Sequence, residues 1–420
     1  MVMRACREEI VGAKGPRGQA KTDRRWGVHS RGRAPSVRGL VVMAVLFAGA
    51  GCVEQEPDPW SRVTAFGDPR PGLTADELRR FEDGKALFDR VFAPESGLGP
   101  LFNENQCSAC HTDPAPGGTG EQLVRKATRL PDGTGACDLL ENRGGENLRS
   151  RVTAAAAEVG TVPDSVPTEA THVGSFDVPF LFGLGAAEAV SESVLLDLAD
   201  PGDEDGDGIS GRLGRTPDGR VGRFGRKADV ASLRDFTVSA LLNEMGLTTP
   251  DRPDERGTNG GDLAPGADPA PDPEVPAEVV DRLTDYVRFL GVPPASSADA
   301  GLRESGDRLF TEVGCARCHV PELPVGPSGT PAVVFSDFLL HDLGEGLGGS
   351  VCGPAAGPDE FRTAPLIGLS ANRAFLHDGR ARSLEEAIGL HGGEASRAGA
   401  AFQALSPVDR AALLAFLRSL

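Results

Sequence analysis

Tyrosine occurs once and tryptophan twice in 420 residues, and aromatic residues make up only 5% of the chain. A protein this poor in rings cannot fill a large core with its own aromatics, so bulky apolar cofactors are expected to supply part of the core volume. Long hydrophobic runs are also missing. The apolar stretch 40–51 has 12 residues, too short for the ~20 that span a bilayer as a helix. Positive charge is scarce. The net charge is −18, and residues 1–51 hold ten of the basic residues but only three of the acidic ones, leaving 33 basic against 58 acidic beyond them. Such an acidic surface excludes nucleic acid as a partner; it would steer a basic redox protein, and otherwise serves solubility. Glycine (55) and proline (33) are plentiful instead, which points to long loops rather than one continuous sheet. The length suggests two or three domains.

Half of the eight cysteines fall in two copies of one pattern, Cys107-Ser108-Ala109-Cys110-His111 and Cys315-Ala316-Arg317-Cys318-His319. Each is C-x-x-C-H, the spacing at which two thiols bond the two vinyl groups of one porphyrin while the next histidine ligates the iron. A zinc or dithiol reading of either C-x-x-C leaves that histidine unexplained both times. The sequence thus predicts two covalently bound haem c groups, with His111 and His319 as proximal ligands. Of the other cysteines, Cys6 and Cys52 lie near the N-terminus; Cys137 and Cys352 form either one disulfide in an oxidising compartment or two separate buried thiols.

Arg31, Arg33 and Arg38 precede the apolar run and small residues end it, the layout of a secretory signal. Cys52 after Gly49-Ala50-Gly51 is similar to a bacterial lipobox, although leucine is usual where Gly49 stands. Residues 1–52 are therefore expected to be a leader, with Cys52 the acylated first residue of an exported, periplasmic, membrane-anchored lipoprotein; ordinary cleavage nearby is the alternative. Residues 1–27 form an unusually long extension before such a signal.

The rest divides into repeats. Residues 53–72 read as a Pro-rich tether. Thr74 caps a helix expected over 75–92, with Leu78, Phe81, Leu87, Phe88 and Val91 near helical spacing. Gly84-Lys85-Ala86-Leu87-Phe88 precedes the first haem motif, and Gly306-Asp307-Arg308-Leu309-Phe310 the second. Each half also closes on an amphipathic helix: 279–290, and a last one with Ser406 as N-cap and Pro407 at N1. The fold class expected is mainly α: two cytochrome c-like domains over 73–292 and 298–420, the first with a large loop-rich insertion whose stretch 250–276 is exposed and irregular. Within the insertion, Asp203, Asp205 and Asp207 followed by Gly208 form the first half of a calcium loop, lacking the glutamate at position 12; an acidic solvated turn is the alternative.

Over roughly residues 75–420 the chain resembles the bacterial di-haem oxidoreductases, also labelled thiol oxidoreductases or peroxidases, and more distantly the di-haem cytochrome c peroxidases. The resemblance rests on ordered stretches. They include Gly222-Arg223-Phe224-Gly225-Arg226-Lys227-Ala228, Phe361-Arg362-Thr363-Ala364-Pro365-Leu366, Leu376-His377-Asp378-Gly379-Arg380-Ala381 and His391-Gly392-Gly393-Glu394-Ala395. Arg226 departs from it, since the family often has tryptophan there. The peroxidases carry the second haem's sixth ligand fourteen residues after the histidine of the His-Asp-Gly segment, which implies His319 and His391 on haem 2. Met245, His377 and His341 are weaker iron candidates, and the sixth site of haem 1 is either open or filled by Met245 or His172. His377 and His341 are also readable as partners of propionates or backbone; Arg362, Arg373 and Arg380 are readable as propionate partners or as solvated surface arginines, and Lys227 and Arg223 are candidates for polarising a ligand or binding propionate. The resemblance implies electron transfer, with peroxide reduction at haem 1, and a small cytochrome or cupredoxin as redox partner. A pure electron carrier without substrate is the alternative.

Overall fold

Thr74 opens the first helix as expected. Its hydroxyl accepts from Glu77 N (3.2 Å), and the Glu77 carboxylate accepts from Thr74 N (2.9 Å), so two otherwise orphaned amides are satisfied. In the computed structural model, which describes residues 58–131, 136–296 and 299–420, this helix is Ala75–Phe88. It stops four residues before the expected end, because Phe92 N turns away to bond Asn105 O (2.9 Å). The expectations for the leader and for Cys52 lie outside the described residues.

Among the described residues, helices dominate the regular structure: eleven α-helices, against five two-stranded antiparallel sheets that the sequence did not announce. Two helix pairs organise it. The opening helix Ala75–Phe88 crosses Ala277–Phe289, and Ala300–Val313 crosses the last helix, Pro407–Leu417. Each crossing turns on a repeat glycine. A Cβ on Gly84 would lie 2.1 Å from Arg282 O and 2.8 Å from Tyr286 Cβ; one on Gly306 would lie 2.3 Å from Ala412 O and 2.5 Å from Phe416 Cβ. Backbone thus packs directly on backbone, and aromatic rings flank the contact: Phe81 and Phe88 on Tyr286, Phe310 on Phe416.

The halves are not separate bodies. One buried cluster joins Ala186, Val190, Leu195, Phe224 and Leu233 to Leu323, Val325, Val334 and Phe338, and a disulfide, Cys137–Cys352, links residues 215 apart in sequence. The expected tether is also packed in its described part: Val63 N bonds Val292 O (2.9 Å), Arg70 N bonds Phe289 O (2.7 Å), and Gly291 N bonds Asp68 O (3.0 Å). Residues 250–276 hold only a three-residue turn, Thr258–Gly260, yet they are not merely exposed, since Ala267 and Val275 are buried.

Candidate haem-binding cavity

A cavity of about 1180 Å³ runs through the body and is lined by both C-x-x-C-H segments. Ordinary single-ligand pockets are roughly 300–1000 Å³, so the space exceeds what one small ligand needs. The four cysteines of the motifs are free thiols beside it. Burial pushes the thiols of Cys107 and Cys110 up to about 12 and that of Cys315 up to about 11.

The histidines of the two motifs are held alike. His111 Nδ1 bonds Gly118 O (3.0 Å), and His319 Nδ1 bonds Phe335 O (3.1 Å). Phe335 has φ 48°, a left-handed conformation that a bulky residue adopts only when its surroundings impose it. A backbone acceptor on Nδ1 fixes the tautomer and leaves Nε2 with the lone pair, the arrangement of a metal-ligating imidazole. Burial pushes His111 down to about 4; burial and then the neighbouring His391 ring push His319 to about 4. Both are neutral, as a metal ligand must be. Free thiols, neutral imidazoles and cavity volume together fit two haems, held by Cys107, Cys110 and His111 and by Cys315, Cys318 and His319.

At the second end, His391 lines the cavity, with Nδ1 on Ala387 O (2.7 Å). The nearby Glu394 does not touch it. Glu394 accepts instead from His341 Nδ1 (2.8 Å) and Ser210 Oγ (2.7 Å). His341 sits on the strand Leu340–Asp342, whose partner Glu360–Arg362 carries Phe361 opposite it. Its Nε2 bonds Asp337 (2.9 Å). Burial opposes charge on this ring, but the bonds to Asp337, Cys318 and Glu394 outweigh it and hold the imidazolium up to about 12. Both nitrogens are committed, which removes His341 from the iron candidates. His377 follows Leu376 at φ 74° and stacks on Phe361 (4.2 Å, 19°); Lys227 Nζ lies 3.8 Å from the other ring's centroid.

At the first end, Met245 lines the cavity but is also packed in the core with Phe88 and Leu241. The residue before it is the one the sequence reading missed. Glu244, on the helix Leu233–Met245, faces the cavity with its carboxylate held by Asn103 Nδ2 (2.9 Å) and Asn147 Nδ2. Burial raises its pKa, against the two amides and Lys126. His172 bonds Thr171 Oγ1 (2.9 Å) and is not among the lining residues.

The other candidates divide. Arg362 lines the cavity and donates only to the carbonyls of Gly225 and Thr363 (both 2.8 Å), so it retains charge for a carboxylate; Arg373 and Arg380 are spent on Asp113 and Asp378. Arg226 pairs with Asp177. Arg223 donates to the carbonyls of residues 187, 188 and 190, and Lys227 to those of 357, 358 and 360, so neither is free to polarise a ligand. The calcium reading also needs correction. Asp203 and Asp205 cluster with Asp200, while Asp207 turns to Arg317 (2.6 Å).

The family described as "Di-haem oxidoreductase, putative peroxidase" matches residues 168–420. Hydrazine synthase subunit gamma of Kuenenia stuttgartiensis is 28% identical over 145 residues, 26% of this chain and 40% of that relative; the match spans about two fifths of the curated relative's length. Among solved structures, the chain is similar to hydrazine synthase of Kuenenia stuttgartiensis (TM-score 0.40, 15% identity, 92% of this chain and 100% of that one). It is also similar to a MauG-like protein associated with microbial copper homeostasis (TM-score 0.37, 15%, 86% and 94%). A third similar structure is a diheme peroxidase from Burkholderia thailandensis (TM-score 0.32, 13%, 87% and 94%). With the family matched over more than half its length, the chain belongs to the di-haem oxidoreductases.

Proposed function

We propose that this chain is an exported oxidoreductase with two covalently attached haem c groups, which passes electrons from the His319 end of its cavity to the His111 end and there reduces a small oxidant of the peroxide class. The observation that carries this reading is the unequal furnishing of the two ends. At the second, His319 and His391 share one site, the ligand pair of a closed, low-potential relay. At the first, the distinctive group is a buried carboxyl, Glu244.

When bound, the haems supply the electrons and an iron site for the oxidant. The chain's residues do the rest. Phe88 and Leu241, buried in the core, give the first end an apolar wall. Asn103 and Asn147 orient the Glu244 carboxyl. Burial raises the pKa of that carboxyl, which suits it to hold and return a proton at a carboxylate oxygen beside an oxidant, the work of a general acid–base. Arg362 is available to a haem propionate.

Met245 supports the second reading, a pure electron carrier, because it too lines the first end and a thioether there would close it. An optical and EPR redox titration separates the two. A five-coordinate or displaceable first haem, with peroxide turnover, supports the enzyme; two six-coordinate low-spin haems at every potential, with no turnover, leave only electron transfer. Intact mass after denaturation tests covalent attachment: two haem masses must remain on the chain.

The apolar run before Cys52 supports export and lipid anchoring to a membrane facing the periplasm; no helix of the described residues is itself long and apolar enough to cross a bilayer. Mass spectrometry of the mature N-terminus decides this, and an unmodified start beyond Cys52 defeats it. The acidic surface supports a basic small cytochrome or cupredoxin as partner, whose association must slow as salt rises.

A further inference from the structure

The second end holds a buried ionic cluster to which the electron relay assigns no part. His341 lies between two carboxylates: its Nε2 is 2.9 Å from Asp337 and its Nδ1 2.8 Å from Glu394. The side chains of His341 and Asp337 are each 4% exposed, and that of Glu394 is 14% exposed. An ionised carboxylate only accepts, so both ring nitrogens donate. The same Nδ1 lies 3.9 Å from Cys318 Sγ, so the ring also touches the haem motif.

The two carboxylates belong to different supports. Asp337 is part of the segment that holds His319: Asp337 N bonds Cys318 O (3.0 Å), and Phe335 O, two residues earlier, accepts from His319 Nδ1 (3.1 Å). Glu394 is part of the turn that carries His391. The other hydrogen bonds of that turn are local. His391 N bonds Ile388 O (3.2 Å), His391 Nδ1 bonds Ala387 O (2.7 Å), and Ala395 N bonds Gly392 O (2.9 Å). Among the described residues, only the Glu394 side chain hydrogen-bonds residues 391–395 to distant parts of the chain. It accepts from His341, from Ser210 N and Oγ (3.1 and 2.7 Å) and from Asp342 N (3.4 Å). A Cβ on Gly393 would lie 2.2 Å from Asp342 O, so the turn rests directly on the strand Leu340–Asp342. His341 therefore stands where the support of one histidine meets the support of the other.

We propose that His341 is a positioning residue of the second haem: by bridging Asp337 and Glu394 it seats the His391 turn against the His319 segment and so keeps His391 on the iron. The proposal rests on the reading of His319 and His391 as one ligand pair. Groups behind a ligating imidazole set its orientation, and losing them typically weakens a metal site roughly 10- to 100-fold. Breaking a buried ion pair leaves a charge uncompensated, so the turn has one favoured seat rather than a range of them.

The test uses the haem-loaded chain. His391→Ala probes the ligand pair alone and must remove one low-spin EPR signal; an unaltered spectrum overturns the pair, and this proposal with it. Glu394→Ala probes the bridge with His391 in place, and it leaves His341 paired with Asp337 so that the most buried part of the cluster is kept. Part of the second haem is expected to turn high-spin, and added imidazole to bind that haem about tenfold more tightly or better, while the spectrum of the first haem stays as it was. Glu394→Gln, whose amide oxygen still accepts from His341, restores the low-spin spectrum and the weak imidazole binding. Ser210→Ala leaves His341 on Glu394 and keeps both as well; an effect as large as that of Glu394→Ala would assign the hold to Ser210 and overturn the role of His341. If Glu394→Ala lowers the melting temperature yet leaves spin state and imidazole affinity unchanged, the cluster only stabilises the fold and the proposal is overturned while the ligand pair stands. Equal loosening of both haems overturns it too.

Discussion

The two ends of the cavity share a scaffold and differ in what faces it. Each has a glycine-pivoted helix crossing and a neutral proximal histidine tied through Nδ1 to a backbone carbonyl, Gly118 O at one end and Phe335 O at the other. Opposite these the likeness stops. The second end presents His391 and, behind it, a chain of committed polar groups: His341, Asp337, Glu394 and Ser210. The first presents Glu244 between two amides, beside Met245. On the proposed reading, the common frame would hold a porphyrin at each end, and the groups that differ would decide whether that end relays electrons or does chemistry.

The sharpest way to break this contrast is Glu244→Gln. Peroxide turnover is expected to fall roughly 10²- to 10⁴-fold while the optical spectra of both haems stay as they were; unchanged turnover would remove Glu244 from the reaction. His391→Ala should act only on the other end. One low-spin signal is lost in EPR and that haem's potential rises by of order 100 mV, a fraction of the ≈ 0.8 V range that axial ligands span; a change in the first haem instead would reverse the assignment of ends. Gly84→Ala and Gly306→Ala test the shared frame. A methyl forced against Arg282 O or Ala412 O should cost about 1–3 kcal/mol in either half, read from urea midpoints, and sharply unequal costs would show that the crossings are not equivalent.

The smallest effect is on pH dependence. Burial works against ionisation of Glu394, but the bonds from His341 and Ser210 outweigh it and hold the acid down at about 2, below its ordinary 4.5. Its contribution is therefore present above pH 4.5 and is lost as pH falls toward 2. His341 is held above its ordinary 6.5, so its contribution is present below pH 6.5 and fades as pH rises. The pair stabilises most between these limits. Glu394→Gln should flatten the acid limb by about 1 kcal/mol after solvent screening, measured as the pH profile of the urea midpoint.

What the sequence revealed was local. C-x-x-C-H is complete within five residues. The capping box at Thr74 and Glu77, and Ser406-Pro407, show their structural consequence within one turn. What it hid depends on distant partners. Glu244 sits in Asn-Glu-Met-Gly on a helix, and only Asn103 and Asn147, 141 and 97 residues away, turn it from a surface acid into a caged one. Asp207 fits the spacing of a calcium loop until Arg317 arrives from the second half. The five small sheets were invisible because strands of two to six residues carry too little alternation to read. Phe361 gave no sign that His377 would lie on it.

The glycine crossings also set an order of events. The opening helix at Gly84 must wait for a partner at Arg282, roughly 200 residues downstream, whereas Gly306 meets Ala412 after roughly 100, and the cost of closing a loop grows with its length. As the chain is made from its N-terminus, Cys107, Cys110 and His111 appear long before the helix that shuts their half exists. The first motif therefore stays open far longer than the second, and a chain cut short anywhere before residue 277 would leave that half without its closing helix.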